Sequence, residues 1–153
     1  MKILASACLL GGNCINNGGN NRNEKILALL AEHEIIPACP EVLGGLPPPR
    51  VPAELQKGVV VNKDGANVDW EFRLGAQKCL EIAQKETPEL ILLQSRSPSC
   101  GVKQRYDGTF SGKLIEGSGV TAELLMQHDF LVMDVEDYLF SSVTNDISLL
   151  HGK

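Results

Sequence analysis

Cysteine is the residue type with the greatest chemical potential in this sequence. The chain contains five cysteines, Cys8, Cys14, Cys39, Cys79 and Cys100. An odd count does not suit a complete disulfide framework, and in a reducing intracellular compartment a group of cysteines more often binds a metal or takes part in catalysis. A free cysteine is also among the residue types most often buried as a small hydrophobic side chain. The position of each cysteine relative to the predicted elements must therefore decide between packing and chemistry.

The elements that would position these cysteines alternate between strand and helix. Short apolar runs predict buried strands at 2–7, 35–38, 89–94 and 130–135, and a short strand or hairpin arm at 57–61. Apolar residues at helical spacing predict helices at 24–33, 68–85 and 121–128, followed by a weak helix at 137–142. The proline-rich stretch 40–52 contains two adjacent glycines, which excludes regular helix and indicates a long loop.

This alternation predicts an α/β fold. We expect a doubly wound, mainly parallel sheet of about four main strands with helices on both faces, a Rossmann-like three-layer arrangement. A single domain should extend over 1–153, with 1–142 forming the α/β unit and 143–153 a flexible tail.

Three of the cysteines follow predicted strands. Cys8, Cys39 and Cys100 each lie beyond the carboxyl end of a strand, in a turn-rich segment. Because the carboxyl ends of parallel strands share one edge, where open α/β sheets bind ligands, these thiols should converge there. Cys79 falls inside a predicted helix among apolar residues, which indicates core packing. Cys14, in the glycine-rich loop after Cys8, is either a fourth ligand or a spare thiol, and we favour the spare thiol.

Converging thiols indicate a metal site, and the spacing of the candidate ligands bears on the metal. The sequence lacks the C-x-x-C pairs of zinc sites, and His33, His128 and His151 are scattered. Thiolates on three separate loops suit an iron-sulfur cluster inserted into a preformed pocket, with zinc as the weaker alternative. Glu41 follows Cys39 by two residues and lies on the crevice side of the sheet, where it either does chemistry or only caps backbone N–H groups.

Charge and hydropathy limit the possible partners. The 19 acidic and 14 basic side chains give a net charge of -5, and no run is rich in Lys or Arg, so a nucleic-acid polymer is not expected. No apolar run approaches the roughly 20 residues that span a bilayer, and the apolar N-terminus is broken by Gly11 and Gly12, so we interpret it as a strand and not as a signal peptide. We expect a soluble, cytoplasmic protein with no membrane partner. The sequence does not indicate the oligomeric state.

Four blocks of sequence resemble a bacterial family formerly catalogued as a domain of unknown function, the thiouracil desulfurase (desulfidase) family. The blocks are Ser-Ala-Cys-Leu-Leu-Gly at 6–11, Cys-Pro-Glu-Val-Leu-Gly-Gly-Leu-Pro at 39–47, Ser-Arg-Ser-Pro-Ser-Cys-Gly at 95–101 and Tyr-Asp-Gly-Thr-Phe-Ser-Gly at 106–112. The resemblance extends from near residue 2 to near residue 136. It implies a 4Fe-4S cluster held by Cys8, Cys39 and Cys100, with Glu41 and Ser97 as the catalytic acid–base residues.

The resemblance also implies a reaction, the removal of sulfur from a small thiolated base or nucleoside such as 2-thiouracil. Three thiolates leave one iron open, and this iron would act as a Lewis acid on the thiocarbonyl sulfur. Glu41 would deprotonate a water molecule, and Ser97 or Glu41 would relay the proton, so that sulfide and a carbonyl product form without an electron donor. Ser97 could instead only bond its own backbone, and Arg50 and Arg96 are more often solvated than used to orient an oxygen. The chain departs from the family pattern after Cys14, where an Arg-Tyr-Asp run is common.

Two alternatives of other classes stay open. One is a non-catalytic iron-sulfur or zinc-binding module that senses redox state, against which the carboxylate beside the cysteines argues mildly. The other is a sulfur carrier in which a single cysteine thiolate passes on a persulfide without any metal.

Overall fold

Strands and helices alternate along most of the chain as the sequence predicts, but two hairpins interrupt the alternation. The structure, a computed structural model, describes residues 1–144, with side chains described through Ser141. The strands are β1 (Lys2–Ser6), β2 (Glu34–Ala38), β3 (Ala53–Gln56), β4 (Val59–Asn62), β5 (Leu90–Leu93), β6 (Gln104–Tyr106), β7 (Leu114–Glu116) and β8 (Val132–Asp134). The helices are α1 (Glu24–Leu30), α2 (Pro40–Leu43), α3 (Asp69–Glu86), α4 (Val120–Gln127) and α5 (Val135–Thr144), together with a 3-10 turn at Ala7–Leu10.

The central sheet is parallel throughout and has the strand order β2-β1-β5-β8. The first strand, β1, pairs with β2 on one side and with β5 on the other, so that Ser6 lies opposite Ala38 and Leu4 lies opposite Ile91. The predicted α/β fold with a doubly wound parallel sheet is therefore confirmed. The carboxyl ends of its strands form one edge of the sheet. At this edge the connections lead to β2 on one side of β1 and to β5 on the other, and such sheets form a crevice at that position.

Helices cover both faces of the sheet. On one face, Ile3 and Leu92 pack in a core with Ile26 of α1 and Tyr138 of α5. On the other face, the buried sheet residues Leu4, Ile91 and Leu93 pack against Leu80 of α3 and Leu125 of α4. Burial on both faces explains why β5 and the middle of β1, Ile3–Ala5, are apolar without polar alternation. Each fully buried Leu or Ile contributes about 1.5–3 kcal/mol, so this core is what holds the sheet edge in place.

Helix α2 corrects the expectation that 40–52 contain no regular helix. Pro40 occupies the first helical position, where a missing N–H removes no intrahelical hydrogen bond, and the N–H of Gly44 donates to the Pro40 carbonyl at 2.9 Å. The helix is one turn long, and the residues from Gly44 to Pro52 form the irregular, proline-rich loop that the sequence predicts.

Two β-hairpins lie outside the central sheet. Strands β3 and β4 pair antiparallel around Lys57 and Gly58, so the predicted arm at 57–61 is the turn and second strand of a hairpin. Strands β6 and β7 pair antiparallel within the segment 102–117, for which the sequence predicted no element. The half-exposed, three-residue strands of this second hairpin lack the apolar run or alternation that would have marked them.

At the carboxyl end, α5 continues to Thr144 and so extends past the beginning of the predicted tail at 143–153. The rest of that predicted tail, 145–153, lies outside the described residues. Among the residues that are described, no helix combines the length and the apolar character needed to cross a membrane.

The contact between α2 and α3 depends on two glycines. A Cβ atom on Gly75 would overlap the carbonyl oxygen of Pro40, and a Cβ atom on Gly44 would overlap the carbonyl oxygen of Glu71. Because α2 begins directly after Cys39, this close contact fixes the segment that carries one of the candidate cysteines.

We therefore expect Gly75→Ala to lower the free energy of unfolding by about 1–3 kcal/mol, since the backbone of α2 must move to admit the methyl group. The control Gln77→Ala shortens an exposed side chain of α3 to a methyl group and should change stability by less than about 0.5 kcal/mol. Urea unfolding of both variants measures the difference. An unchanged or raised stability of Gly75→Ala would contradict the tight contact.

Candidate functional site

A cavity of about 410 Å³ opens at the carboxyl edge of the central sheet. The residues that follow β1, β2 and β5 line it, together with the glycine-rich loop after Cys8 and the proline-rich loop after α2. Four cysteines, Cys8, Cys14, Cys39 and Cys100, contribute to its wall, and all are free thiols. The three cysteines expected to converge do lie at one cavity, and Cys14 accompanies them.

Cys8 lies in the 3-10 turn that leaves β1. Gly11, with a φ of 98°, ends the turn in the left-handed region that favours glycine. Asn21, which follows the glycine-rich loop, holds this turn in place with two hydrogen bonds. Its backbone N–H donates to the Cys8 carbonyl at 2.9 Å, and its side-chain amide donates to the Cys8 sulfur at 3.5 Å. Burial raises the pKa of the Cys8 thiol, while the bond from Asn21 opposes this shift. Such a donor would stabilise a thiolate at this position.

Cys100 is buried in the loop after β5. The side-chain oxygen of Ser97 accepts from the N–H groups of Ser99 and Cys100, each at 3.0 Å, which shapes the loop around the thiol. The Thr121 N–H of α4 donates to the Ser99 carbonyl at 2.9 Å and holds the loop from behind. Burial raises the pKa of the Cys100 thiol well above its ordinary value, and a hydrogen bond with the Ser6 hydroxyl opposes this shift.

Cys39 and Cys14 also contribute to the wall and lie close to each other. Cys39 is the extended residue that precedes α2, and its sulfur lies 3.8 Å from the carbonyl oxygen of Cys14. The Cys14 thiol lies beside that of Cys39, and burial, followed by the proximity of Cys39, raises its pKa to about 12. Cys79 lies behind them in the core on α3, fully buried and outside the cavity lining, which agrees with its predicted packing role.

Glu41, in the first turn of α2, faces the cavity and forms a buried ion pair. Its Oε2 accepts from Nε of Arg50 at 2.6 Å and lies 2.6 Å from Nη2, and only 17% of the Glu41 side chain and 10% of the Arg50 side chain are exposed. Burial raises the pKa of the Glu41 carboxyl, while Arg50 and the hydroxyl of Ser97 lower it. Ser97 thus accepts from two backbone N–H groups of its own loop and also forms a hydrogen bond with Glu41.

The two candidate arginines differ in their surroundings. Arg50 is buried and bound to Glu41, whereas Arg96 forms a two-pronged ion pair with Glu136 at 2.8 and 2.9 Å and is 35% exposed. The Arg50 guanidinium is withdrawn from solvent and that of Arg96 is in an exposed pair, and each is bound to a carboxylate of the chain.

Sequence reasoning missed residues that support the site. Asn21 and Ser6 bond the sulfur atoms of Cys8 and Cys100. Tyr106 lines the cavity, and Glu54 of β3 accepts from the N–H groups of Gly108 and Phe110 at 3.0 and 3.1 Å, which holds the second hairpin beside the cavity. The block at 106–112 was an available signal for this hairpin, but nothing in its sequence indicated that it packs at the sheet edge.

The arrangement of the thiols bears on the kind of metal group that fits. Among residues 1–144, no three Cys, His, Asp or Glu side chains lie close enough to bind a single metal ion. A zinc site needs its ligands within about 2.0–2.3 Å of one atom, whereas each cysteine of a 4Fe-4S cluster binds a different iron. Free thiols distributed around one cavity therefore suit a cluster better than a zinc ion.

Comparison with known proteins identifies the family. The model of the 2-thiouracil desulfurase family matches residues 3–137. The chain belongs to this family. It is 42% identical over 141 residues to the uncharacterised protein YbbK of Bacillus subtilis, covering 86% of this chain and 93% of that protein. Its structure matches that of the [4Fe-4S]-dependent thiouracil desulfidase TudS with a TM-score of 0.85 and 36% identity, covering 95% of this chain and 98% of that one. The predicted family membership is confirmed.

The hydrogen bonds of Ser97 predict a cost for its removal. Ser97→Ala leaves the buried N–H groups of Ser99 and Cys100 without their acceptor and should lower the free energy of unfolding by about 1–3 kcal/mol. Ser111→Ala removes an exposed hydroxyl that bonds only Thr109 and should have little effect. Urea unfolding midpoints under matched conditions check this, and equal midpoints for the two variants would refute the role of Ser97 in the loop.

Proposed function

We propose that the protein removes sulfur from a small thiolated pyrimidine base such as 2-thiouracil, using a 4Fe-4S cluster held by Cys8, Cys39 and Cys100. The observation that carries this proposal is the presence of these thiols, Glu41 and Ser97 around one cavity. The 36% identity to a [4Fe-4S]-dependent thiouracil desulfidase over 95% of the chain supports the choice of cluster and substrate.

The choice of three ligands rests on where each cysteine is anchored. Cys8, Cys39 and Cys100 follow β1, β2 and β5, which are adjacent in the sheet. Neighbouring strands lie about 4.8 Å apart. The rigid edge therefore keeps these thiols apart at a spacing that suits a group with several iron atoms. Cys100 also lies on a loop, but its loop is held by Ser97 and by the N-terminus of α4, whereas Cys14 lies on the glycine-rich loop, which supports its assignment as a thiol that is not a ligand.

When bound, the cluster would supply an iron atom without a protein ligand, a Lewis acid toward the sulfur of a thiocarbonyl group. The side chains of the chain itself would manage the protons. Burial raises the pKa of Glu41, which makes its carboxylate a better proton acceptor for an attacking water molecule than an exposed carboxylate would be. Ser97, hydrogen-bonded to Glu41, would return that proton to the departing sulfur. The net reaction converts a thiocarbonyl and water into a carbonyl and hydrogen sulfide, so no reductant is required.

The size and charge of the site favour a small substrate. A cavity of about 410 Å³ that is shared with a cluster has room for a base or nucleoside, and the net charge of -5 does not favour a polyanion. The β3–β4 and β6–β7 hairpins contribute Glu54 and Tyr106 to the lining, polar groups that would face the substrate.

Anaerobic reconstitution of the wild-type protein should give about four irons per chain. We expect the Cys8→Ser, Cys39→Ser and Cys100→Ser variants to lose most of this iron, because each lacks one thiolate ligand. Cys14→Ser and the core variant Cys79→Ala are matched controls and should keep the iron. Iron and acid-labile sulfide analysis measures the outcome. Full iron in the first three variants, or loss of iron in Cys14→Ser, would show that the ligands are assigned wrongly.

Replacement of Glu41, the proposed proton acceptor, should lower turnover without affecting assembly of the cluster. Glu41→Gln keeps the side-chain shape beside Arg50 but cannot take up a proton, so kcat on 2-thiouracil should fall about 10²–10⁴-fold with the iron content unchanged. Glu123→Gln, at an exposed position of α4, is the control and should keep full turnover. Turnover of Glu41→Gln at the wild-type rate would remove Glu41 from the mechanism.

A further inference from the structure

Arg50 links three separate segments around the cavity, although it lies in an irregular loop. Its guanidinium donates to the Glu41 carboxylate at 2.6 Å, to the Leu46 carbonyl at 3.0 Å and to the Cys14 carbonyl at 2.7 Å. Its backbone N–H donates to the Asn16 carbonyl at 2.7 Å. A side chain that is only 10% exposed therefore connects the proline-rich loop, α2 and the glycine-rich loop.

The glycine-rich loop, 11–20, depends on these bonds for its position. Contacts such as that from the Ile15 N–H to the Gly19 carbonyl, at 3.2 Å, are internal and fix only the shape of the loop. Among the described residues, the two shortest hydrogen bonds that join this loop to the rest of the chain both come from Arg50. Replacing the Arg50 side chain would remove the bond to the Cys14 carbonyl, and of these two bonds the loop would keep only the one from the Arg50 backbone N–H to the Asn16 carbonyl.

The guanidinium suits this task better than an ammonium group would. Its planar fork presents donors in fixed directions, so that the acceptors it binds are held relative to one another. Most of these donors are used by groups of the chain, which argues that Arg50 does not bind the substrate directly. The carboxylate of Glu41 is meanwhile held between Arg50 and Ser97.

We propose that Arg50 is a positioning residue, which fixes the Glu41 carboxylate and fastens the 11–20 loop across the cavity with one rigid group. The catalytic part of this inference rests on the proposed function, whereas the hold on the loop does not. Arg50 acts through Glu41 and the loop. Its loss should therefore lower kcat with little effect on KM, and it should also loosen the loop in the absence of any substrate.

The test compares cluster-loaded wild-type protein with Arg50→Gln, Arg50→Lys and the control Arg73→Gln. Arg73 also pairs with a carboxylate and a carbonyl, Asp69 at 3.3 Å and Gly58 at 2.7 Å, but away from the cavity. Two quantities are measured, the steady-state constants for 2-thiouracil and the hydrogen–deuterium exchange of the peptide that contains 11–20.

We expect Arg50→Gln to lower kcat about 10–100-fold, the effect of a misplaced catalytic group, with KM within about twofold of wild type. Exchange in the 11–20 peptide should be faster. Arg50→Lys keeps the positive charge but lacks the planar guanidinium, so hydrogen–deuterium exchange of the 11–20 peptide should still be faster than in wild type. Arg73→Gln should match wild type in both measurements. If Arg50→Gln does not fold, as judged by circular dichroism, Arg50→Lys provides the same two measurements.

Wild-type kcat in the Arg50 variants, with or without faster exchange, would overturn the positioning role. Wild-type exchange of the 11–20 peptide would overturn the hold on the loop. A failure of the proposed function gives a different pattern, since the wild-type protein itself would then not turn over 2-thiouracil while the exchange comparison would still report on Arg50.

Discussion

The parallel pairing of β1 with both β2 and β5 is the constraint on which the site depends. Because the three strands run in the same direction and are adjacent, the residues that follow them meet at one edge. The same pairing buries both faces of β1 and β5 under helices, so the edge is part of the core and not a flexible appendage. Thiols distant in sequence thus become neighbours on a rigid frame, as a metal cluster requires.

Burial also determines the chemistry of the side chains around the cavity. It raises the pKa of Cys8, Cys14, Cys100 and Glu41. Without partners that stabilise the charged forms, the thiols would stay protonated and ionisation of the buried carboxyl would be unfavourable. Asn21, Ser6 and Ser97 supply hydrogen bonds, and Arg50 supplies charge. Each of these groups also fixes a loop, so the residues that make the site chemically competent are those that give it its shape. Substitutions here are therefore expected to change stability and activity together.

The sequence predicted the fold well because its main signals are local. Apolar runs identified β1, β2, β5 and β8, and the rules for parallel connections then placed Cys8, Cys39 and Cys100 at one edge. Helix α2 was missed because the many prolines of 40–52 were taken to exclude helix, although proline is well tolerated at the first position of a helix. The Arg50–Glu41 pair and the location of Cys14 could not be predicted, since both depend on how two irregular loops fold against each other, which no periodicity encodes.

The most direct test of this account is the product balance of the anaerobically reconstituted protein. Incubated with 2-thiouracil and no reductant, the cluster-loaded protein should release uracil and sulfide in equal amounts over many turnovers, and the metal-free protein should release neither. Equal activity in metal-free protein, or a strict need for an added electron donor, would contradict a hydrolytic desulfuration at an iron-sulfur site.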